Sequence, residues 1–262
     1  MQDTQAVRRR LEEAGIENAS MEARLLCEAL SGDELDAAIR RREAREPLQY
    51  ILGEWGFFRE VYEVSKDCLV PRPDTELLVE RAIARIPANG RFLDLCTGSG
   101  CVAISVLAAR RDLRACAVDL FEPTLSLAAR NAARNGVADR VSFLRADVLK
   151  SPPSLGQFDA ILSNPPYIRT DVLRTLEPEV LCEPVAALDG GEDGLCFYRA
   201  IFSHWRTLLI PGGFMLLEIG YDQADALIAL SREHGLRATV YRDYGGNDRV
   251  VLVRDTSDPT PA

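Results

Sequence analysis

Residues 91–119 read RFLDLCTGSGCVAISVLAARRDLRACAVD, and this stretch decides the fold. It begins with an apolar segment that predicts a strand, passes through a turn containing Gly98 and Gly100, and enters the helical segment GCVAISVLAAR. A second predicted strand then ends in Asp119. Closely spaced glycines permit a tight turn and let a ligand approach the backbone. The stretch therefore predicts a strand–helix–strand unit of a parallel sheet, with a ligand site at the turn.

The alternation of strands and helices continues to the C-terminus. Further predicted strands are VSFLRAD (141–147), FDAILSN (158–164) and GFMLLEIG (213–220), and helical segments separate most of them. Repeated alternation predicts an α/β fold, in which a mostly parallel sheet carries helices on both faces. The last two strands, ATVYRDY (238–244) and RVVLVRD (249–255), have no helix between them. We therefore expect one antiparallel strand inserted in the sheet.

The N-terminal part of the chain differs from the rest in composition and in the spacing of its apolar residues. Residues 1–47 carry leucines and alanines at helical spacings, which predicts a small helical domain. We assign this domain to substrate recognition, while a packing appendage is equally compatible with its sequence. Aromatic and β-branched residues become frequent over residues 48–72, where a β-hairpin linker is predicted. Residues 73–262 form the predicted α/β domain. Asp74 or Thr75 is expected to cap its first helix, because short polar side chains satisfy the free N–H groups there.

Composition limits the functional classes. The 262-residue chain has 31 basic and 40 acidic residues, a net charge of −9, which argues against sequence-independent binding to a nucleic-acid backbone. Its seven scattered cysteines and two histidines show no metal-ligand spacing and are typical of reduced cytoplasmic thiols. The N-terminus has no apolar signal segment, and no apolar run reaches the roughly 18 residues of a membrane span. We expect a cytoplasmic monomer that holds no metal and binds neither membranes nor nucleic acid directly.

The position of Asp119 indicates an adenosine-containing ligand. A carboxylate that ends the second strand, about 20 residues after the glycine turn, can accept hydrogen bonds from both hydroxyls of a ribose. The N–H groups at the start of the intervening helix point toward the same place. Gly98, Gly100 and Ala103 also fit the dinucleotide pattern G-x-G-x-x-G/A, so NAD is a competing ligand.

Two further aspartates favour a different cofactor. Asp94 lies in the first strand and Asp147 follows the third, so an acid stands near the end of each of the first three strands. This layout resembles that of Rossmann-like S-adenosylmethionine-dependent methyltransferases. Carboxylates suit a ribose diol, an exocyclic amine and a cationic sulfonium better than they suit a pyrophosphate. Asp94 and Asp147 are each equally compatible with a role as a helix or turn cap.

The fourth strand ends in Asn164-Pro165-Pro166-Tyr167, at the sheet edge where the glycine turn is expected. The two prolines stop the strand and hold Asn164 and Pro165 extended. The side-chain oxygen of Asn164 and the backbone oxygen of Pro165 can then accept both N–H bonds of one NH2 group, while the ring of Tyr167 packs over its plane. This arrangement would aim the lone pair of a planar nitrogen at a methyl donor without a strong general base. The motif predicts methylation of an amino or amide nitrogen.

The NPPY and DLCTGSG motifs together resemble those of the amino-methyltransferases, which act on DNA adenine-N6, ribosomal RNA guanine-N2 or protein glutamine-N5. Four other segments resemble the protein-(glutamine-N5) methyltransferases of peptide chain release factors. These segments are EPLQYILGE (46–54), VPRPDTELLVE (70–80), EPVAALDGGEDGL (183–195) and RDYGGNDRVVLVR (242–254). The resemblance extends over nearly the whole chain.

This resemblance implies S-adenosylmethionine as cofactor and the glutamine of a release-factor Gly-Gly-Gln loop as substrate. It assigns the cofactor turn to Cys96, Thr97, Gly98, Ser99 and Gly100, the ribose to Asp119, the adenine to Asp147 and Val148, and the glutamine to Asn164, Pro165, Pro166 and Tyr167, with Asn164 also touching the cofactor. PRPDTE is expected to form one pocket wall. Cys96 stands where many relatives have glycine, and Val148 offers less stacking area than an aromatic residue.

Three alternatives remain open. A nucleic-acid amino-methyltransferase would need a basic target-recognition segment, for which the arginines at 8–10 and 41–42 are candidates, although acids surround them. A non-catalytic binding module would carry a broken site, whereas both motifs are intact. A dehydrogenase would bind NAD at the glycine turn.

Overall fold

A computed structural model describes residues 4–257. The chain begins with four helices, α1 (Thr4–Glu13), α2 (Ala19–Ala29), α3 (Gly32–Glu43) and the short α4 (Leu48–Leu52). Their apolar faces pack on one another in a separate cluster that includes Val7, Leu11, Ile16, Ala23, Leu26, Leu35, Ile39, Leu48 and Ile51. The leucine and alanine spacing thus predicted the helical character of this part correctly.

The hairpin is shorter than predicted. Strands β1 (Glu54–Phe57) and β2 (Glu60–Glu63) pair antiparallel, whereas residues 48–52, expected within the hairpin, form α4. Pro47 precedes this helix and Gly53 ends it in a left-handed conformation, with φ +76°. Leu48 and Ile51 face the helical cluster. Burial against the neighbouring helices therefore overrides the strand propensity of this segment.

The α/β part contains the predicted sheet. Its elements are α5 (Glu76–Arg85), β3 (Arg91–Leu95), α6 (Cys101–Ala109), β4 (Arg114–Asp119), α7 (Glu122–Arg134), β5 (Val141–Arg145), β6 (Phe158–Ser163), α8 (Cys196–Ser203), β7 (Leu209–Glu218), α9 (Ala224–Glu233), β8 (Leu236–Arg242) and β9 (Asp248–Asp255). The strand order is β5-β4-β3-β6-β7-β9-β8. Strand β9 lies between β7 and β8 and is antiparallel to both, so the inserted strand is confirmed.

The sheet is covered on both faces, as the repeated alternation predicted. Neighbouring residues of β3 point to opposite sides: Phe92 joins the cluster formed with α5, α6 and the hairpin, while Leu93 joins the cluster formed with α8 and α9. The strand order reverses at β3. The next strand of the chain, β4, lies on one side of β3, and β6 lies on the other side. Such a reversal opens a crevice at the carboxyl ends of the strands, where ligands bind in this class of sheet. Within residues 4–257 no helix is long and apolar enough to cross a membrane.

The hairpin packs against the helices behind the glycine turn. The Tyr62 side chain is fully buried, and its hydroxyl lies 2.6 Å from Ser105 Oγ of α6. Asn131 of α7 accepts a 2.7 Å hydrogen bond from the Glu63 N–H and donates a 2.9 Å bond to the Ser99 carbonyl. These contacts hold the hairpin and the glycine turn together.

An ion cluster joins the helical part to the loop that follows β6. Arg42 of α3 is 5% exposed and pairs with Glu22 at 2.6 Å and with Glu179 at 2.9 Å. Arg45 also pairs with Glu179, at 2.9 Å. Buried charges are stable only when paired in this way. The cluster therefore fixes the helices beside the crevice.

Candidate active site

A cavity of about 580 Å³ lies at the carboxyl ends of β3, β4 and β6. Its wall combines the turn after β3, the ends of β4 and β5, the beginning of NPPY and two loops. The lining includes Asp67, Val70, Pro71, Arg72, Thr75, Asp94, Cys96, Thr97, Gly98, Ser99, Asp119, Leu120, Phe121, Asp147, Val148, Asn164, Pro166, Pro184, Val185, Asp189 and Phe197. The predicted cofactor turn, the NPPY segment and part of PRPDTE thus meet at one crevice.

The two glycines of the turn serve different purposes. Gly98, at φ +56°, faces open space, since a Cβ atom built on it would meet nothing within 4 Å. Gly100, at φ +81°, packs closely, and a Cβ atom there would lie 2.8 Å from Ile104 and 3.2 Å from Ala128. Gly98 therefore lets a ligand reach the backbone, and Gly100 lets α6 and α7 approach each other.

Cys96 occupies a conformation that favours glycine. Its φ is +59°, in the left-handed region that residues other than glycine, asparagine and aspartate rarely adopt. This geometry gives a physical reason for the glycine that the resemblance leads us to expect at this position. Burial raises the pKa of the Cys96 thiol well above its usual value, so the thiol is protonated and unreactive.

Asp119 joins the end of β4 to the glycine turn. Its Oδ2 accepts a 3.1 Å hydrogen bond from the Gly98 N–H, and its Oδ1 accepts a 3.2 Å bond from the Phe121 N–H. Burial raises the pKa of the carboxyl, while these backbone hydrogen bonds oppose the rise. Each oxygen keeps a second lone pair, so the side chain can still accept hydrogen bonds from a ligand in the cavity.

The other two aspartates act as caps. Asp94 is 1% exposed, and its Oδ2 accepts hydrogen bonds from Thr97 Oγ1 at 2.6 Å and from the Ala103 N–H at 3.2 Å. Burial raises its pKa to about 7. Asp147 accepts a 3.0 Å bond from the Leu149 N–H. The sequence was compatible with either a ligand-binding or a capping role for these two aspartates. The structure shows capping hydrogen bonds for both, and both also line the cavity.

The charge of the cavity discriminates between ligands. Besides the buried Asp94, four aspartates line it, Asp67, Asp119, Asp147 and Asp189, against one basic residue of the described chain, Arg72. A pyrophosphate brings two negative charges and would be repelled, whereas a cationic sulfonium carried by an amino acid would be attracted. Together with the open backbone at Gly98, this charge fits S-adenosylmethionine and disfavours NAD.

The end of β6 places Asn164 on the cavity wall. Ser163 Oγ donates a 2.7 Å hydrogen bond to the Leu95 carbonyl and so joins the ends of β6 and β3. Asn164 is half-buried, and its Nδ2 donates to Thr75 Oγ1 at 3.1 Å. Within residues 4–257 neither Asn164 Oδ1 nor the Pro165 carbonyl accepts a hydrogen bond from the protein. These two oxygens are the acceptors that the sequence predicted. Asn164 lines the cavity, so its Oδ1 is free to bind a ligand there, whereas Pro165 is buried beside it.

The other three residues of NPPY differ in their position relative to the cavity. Pro166 lines the cavity, whereas Pro165 and Tyr167 do not. Tyr167 packs at the edge of the cluster formed with α8 and α9, and burial raises the pKa of its hydroxyl. Its carbonyl accepts a 3.0 Å hydrogen bond from Gln223 Nε2.

Comparison with known proteins agrees with this geometry. The family model of the methyltransferase small domain matches residues 72–191. A release factor glutamine methyltransferase from Caulobacter vibrioides is 38% identical, covering 94% of this chain and 93% of its own length. One from Cereibacter sphaeroides is 41% identical and covers 94% of both chains. The chain belongs to the release factor glutamine methyltransferase family.

A solved structure with the same fold is the hMettl16 catalytic domain in complex with MAT2A 3'UTR hairpin 6. It is 15% identical to this methyltransferase, covers 88% of this chain and 84% of its own, and has a TM-score of 0.61. At this identity the similarity extends to the fold alone.

Four residues of this methyltransferase support the site but were not singled out from the sequence as site residues. Gly190 and Gly194 pack against the backbone of Tyr167, Thr75 binds Asn164, and Gln223 binds the Tyr167 carbonyl. Thr75 and the two glycines lie within motifs that carried the resemblance. Gln223 follows a strand that ends at the same sheet edge. Its hydrogen bond to the Tyr167 carbonyl, which is distant in sequence, identifies it as a supporting residue.

Substitution of Gly194 by alanine is expected to destabilise the enzyme by about 3 kcal/mol. Its φ is +73°, and a Cβ atom would overlap the Tyr167 carbonyl oxygen and lie 2.6 Å from Gln223 Nε2. Gly212 is a matched control, since its φ is +81° but a Cβ atom there meets nothing within 4 Å. Gly212→Ala should therefore lose only the ~1–2 kcal/mol of backbone strain. Urea unfolding of both variants tests this, and equal losses would contradict the proposed contact.

Proposed function

We propose that this enzyme transfers a methyl group from S-adenosylmethionine to the side-chain amide nitrogen, N5, of the glutamine in the Gly-Gly-Gln loop of peptide chain release factors. The observation that carries the proposal is Asn164 Oδ1, an acceptor without a protein partner among residues 4–257, on the wall of an acidic cavity that the open backbone at Gly98 also lines. Family membership supports the choice of substrate.

The cavity offers suitable partners for each part of the cofactor. The open backbone at Gly98 would receive the amino-acid portion, Asp119 the ribose hydroxyls, and Asp147 with Val148 the adenine. Cys96, Thr97, Ser99 and Gly100 would shape the turn beneath it. When bound, S-adenosylmethionine supplies an electrophilic methyl group on a positively charged sulfur.

The two acceptor oxygens would prepare the glutamine nitrogen. An amide nitrogen is a poor nucleophile, because its lone pair is delocalised onto the carbonyl. Two N–H bonds held by Asn164 and Pro165 would turn that lone pair toward the methyl donor and stabilise the positive charge that grows on nitrogen. The proton can leave after methyl transfer, so no strong general base is required.

The surroundings of the cavity suit a protein loop as substrate. Val185, which is 61% exposed, lines the cavity together with Val70, Pro71 and Arg72. Glycines before the glutamine would let a release-factor loop enter the cavity. We assign residues 1–47 to recognition of the factor, 48–72 to the linker and 73–262 to catalysis.

The pairing of the basic residues argues against nucleic acid as the substrate. Arg8 pairs with Glu12 at 2.7 Å, Arg10 with Glu43 at 2.8 Å, and Arg41 with Glu46 at 2.8 Å. Arg42 is enclosed in the ion cluster described above. Neutralised arginines release few counterions from a phosphate backbone, so retention on heparin at low salt should be weak. Strong, salt-sensitive retention would favour a nucleic-acid methyltransferase.

We further infer that the enzyme acts in the cytoplasm as a monomer. All seven cysteines are free thiols, which suits a reducing compartment. The apolar faces of the helices and the sheet find their partners within one chain. Analytical ultracentrifugation would test the oligomeric state, and a sedimentation coefficient of a dimer would overturn it.

Tandem mass spectrometry tests the proposed activity. A release factor is incubated with enzyme and S-adenosylmethionine, and the Gly-Gly-Gln peptide should gain the mass of one methyl group on glutamine. A factor whose glutamine is replaced by glutamate has no NH2 group and should gain none. Methyl transfer to DNA or ribosomal RNA, with none to the glutamine, would refute the proposal.

A further inference from the structure

A buried carboxylate holds the segment of cavity wall that precedes α5. Glu183, in the loop that follows β6, is 4% exposed. Its Oε2 accepts a 2.9 Å hydrogen bond from the Val70 N–H, and its Oε1 accepts a hydrogen bond from Nη2 of Arg72. Burial raises the pKa of this carboxyl, while Arg72 and the Val70 N–H oppose the rise. The mechanism described above gives this buried group no function.

The guanidinium of Arg72 is held at one nitrogen and free at the other two. Its one hydrogen-bond partner among residues 4–257 is Glu183. Nε and Nη1 have no partner there, and neither is buried, since the side chain is 35% exposed. Because the guanidinium is planar and rigid, the bond at Nη2 restricts the direction of the remaining N–H groups. Arg72 lines the cavity, so it can donate these hydrogen bonds to a ligand.

Arg72 stands one turn away from the residue that contacts Asn164. The Arg72 carbonyl accepts a 3.0 Å hydrogen bond from the Thr75 N–H, and Thr75 Oγ1 accepts the 3.1 Å bond from Asn164 Nδ2. Thr75 was a predicted helix cap, but it makes no side-chain capping hydrogen bond at α5. The free donors of Arg72 and the acceptor Oδ1 of Asn164 therefore belong to one connected wall of the cavity.

The charges around Arg72 indicate a neutral acceptor as its ligand. Its positive charge is already paired with Glu183, and aspartates such as Asp67 and Asp119 line the same cavity. A further anion would be repelled by this negative charge. A peptide carbonyl is neutral and only accepts hydrogen bonds, so it suits the free N–H groups.

The carbonyl of the target side chain is a poor choice of acceptor. A hydrogen bond to that oxygen would draw the lone pair further from the amide nitrogen, which has to attack the methyl group. Backbone carbonyls of the substrate loop carry no such cost. Those of glycine are also open to approach, because glycine has no side chain to cover them.

We propose that Arg72 is a specificity-determining residue that donates hydrogen bonds to backbone carbonyl oxygens of the two glycines before the target glutamine, and that Glu183 positions it. The inference rests on the proposed function, since it takes the Gly-Gly-Gln loop as the ligand. Asn164 would bind the NH2 group, and Arg72 would bind the backbone that leads to it.

Arg72→Lys tests the contact with the loop. Lysine keeps the charge that Glu183 requires, but its single nitrogen cannot pair with Glu183 and also present the free N–H groups of a guanidinium. KM for the release factor should rise roughly 10–100-fold, the range for a hydrogen bond to a charged group, and kcat should change little. The dissociation constant of S-adenosylmethionine should be unchanged. A wild-type KM, or weaker cofactor binding in place of a raised KM, would overturn the proposal.

Glu183→Gln tests the positioning role. Its amide has one oxygen, so it cannot accept from both Val70 and Arg72 through separate atoms. KM should rise as in Arg72→Lys, and the double variant should show no further rise, because both changes remove the same donor from the loop. Increases in KM that multiply in the double variant would show that Glu183 does not act through Arg72.

Tyr50→Phe is the matched control for the stability of this wall. The Tyr50 hydroxyl donates a 2.5 Å hydrogen bond to the Cys68 carbonyl of the same segment, and Tyr50 does not line the cavity. The variant should unfold at lower urea concentration but keep the wild-type KM. A rise in KM equal to that of Arg72→Lys would mean that both changes act through packing, and the proposal would fail.

An altered release factor separates this proposal from the proposed function. Ester bonds in place of the peptide bonds that follow the two glycines make the glycine carbonyls weaker acceptors and leave the glutamine NH2 group intact. The ester should raise KM for the wild-type enzyme and leave KM of Arg72→Lys unchanged. Equal losses in both enzymes would refute the Arg72 contact, whereas a wild-type enzyme that methylates the glutamine of neither factor would refute the proposed function itself.

Discussion

Asn164→Ala should lower kcat by roughly 10²–10³ while leaving the affinity for S-adenosylmethionine nearly intact. The substitution removes one of the two free acceptors that hold the NH2 group, Oδ1, and leaves the Pro165 carbonyl in place. The lost interaction strengthens as positive charge grows on the nitrogen, so it acts mainly in the transition state. Single-turnover kinetics and cofactor calorimetry measure the two quantities separately.

A second variant controls for disturbance of the strand end. Ser163→Ala removes the 2.7 Å hydrogen bond to the Leu95 carbonyl next to the motif but leaves both acceptor oxygens. It should change stability more than kcat, since it removes a buried hydrogen bond that involves neither acceptor oxygen. Near-normal turnover in Asn164→Ala would refute the role assigned to its amide.

Asp119→Ala should weaken binding of S-adenosylmethionine by about 100-fold or more, because each hydrogen bond to a charged group contributes roughly 1.5–3 kcal/mol. The carboxylate would bind the ribose, and it also holds the turn through the Gly98 and Phe121 N–H groups. Both losses act on cofactor affinity. Titration calorimetry measures the dissociation constant directly.

Asp139→Ala is the matched control for Asp119. The Asp139 side chain is 80% exposed and lies near Arg140 at 3.9 Å, outside the cavity. Exposed ion pairs of this kind contribute little, so the variant should bind cofactor like the wild type. An unchanged dissociation constant in Asp119→Ala as well would count against the ribose contact.

The sequence predicts the sheet well because its signals are local. Alternating apolar segments, the glycines at 98 and 100, and the two final strands without a helix between them each reflect the conformation of a few adjacent residues. The same holds for the position of NPPY, since two prolines end a strand wherever they stand. These signals were sufficient to bring Asn164 and Asp119 to one sheet edge.

The parts that the sequence did not predict depend on distant contacts. Thr75 binds Asn164 across 89 positions, and Gln223 binds Tyr167 across 56. The segment 48–52 is helical because it packs on other helices, although its composition favours a strand.

A crystal structure of the enzyme with S-adenosylhomocysteine and a release factor tests the central claim most directly. The glutamine nitrogen of the Gly-Gly-Gln loop should lie about 3 Å from both Asn164 Oδ1 and the Pro165 carbonyl, and should face the sulfur above Gly98. A bound cofactor product whose sulfur points away from these two oxygens, or a glutamine held by other groups, would contradict it.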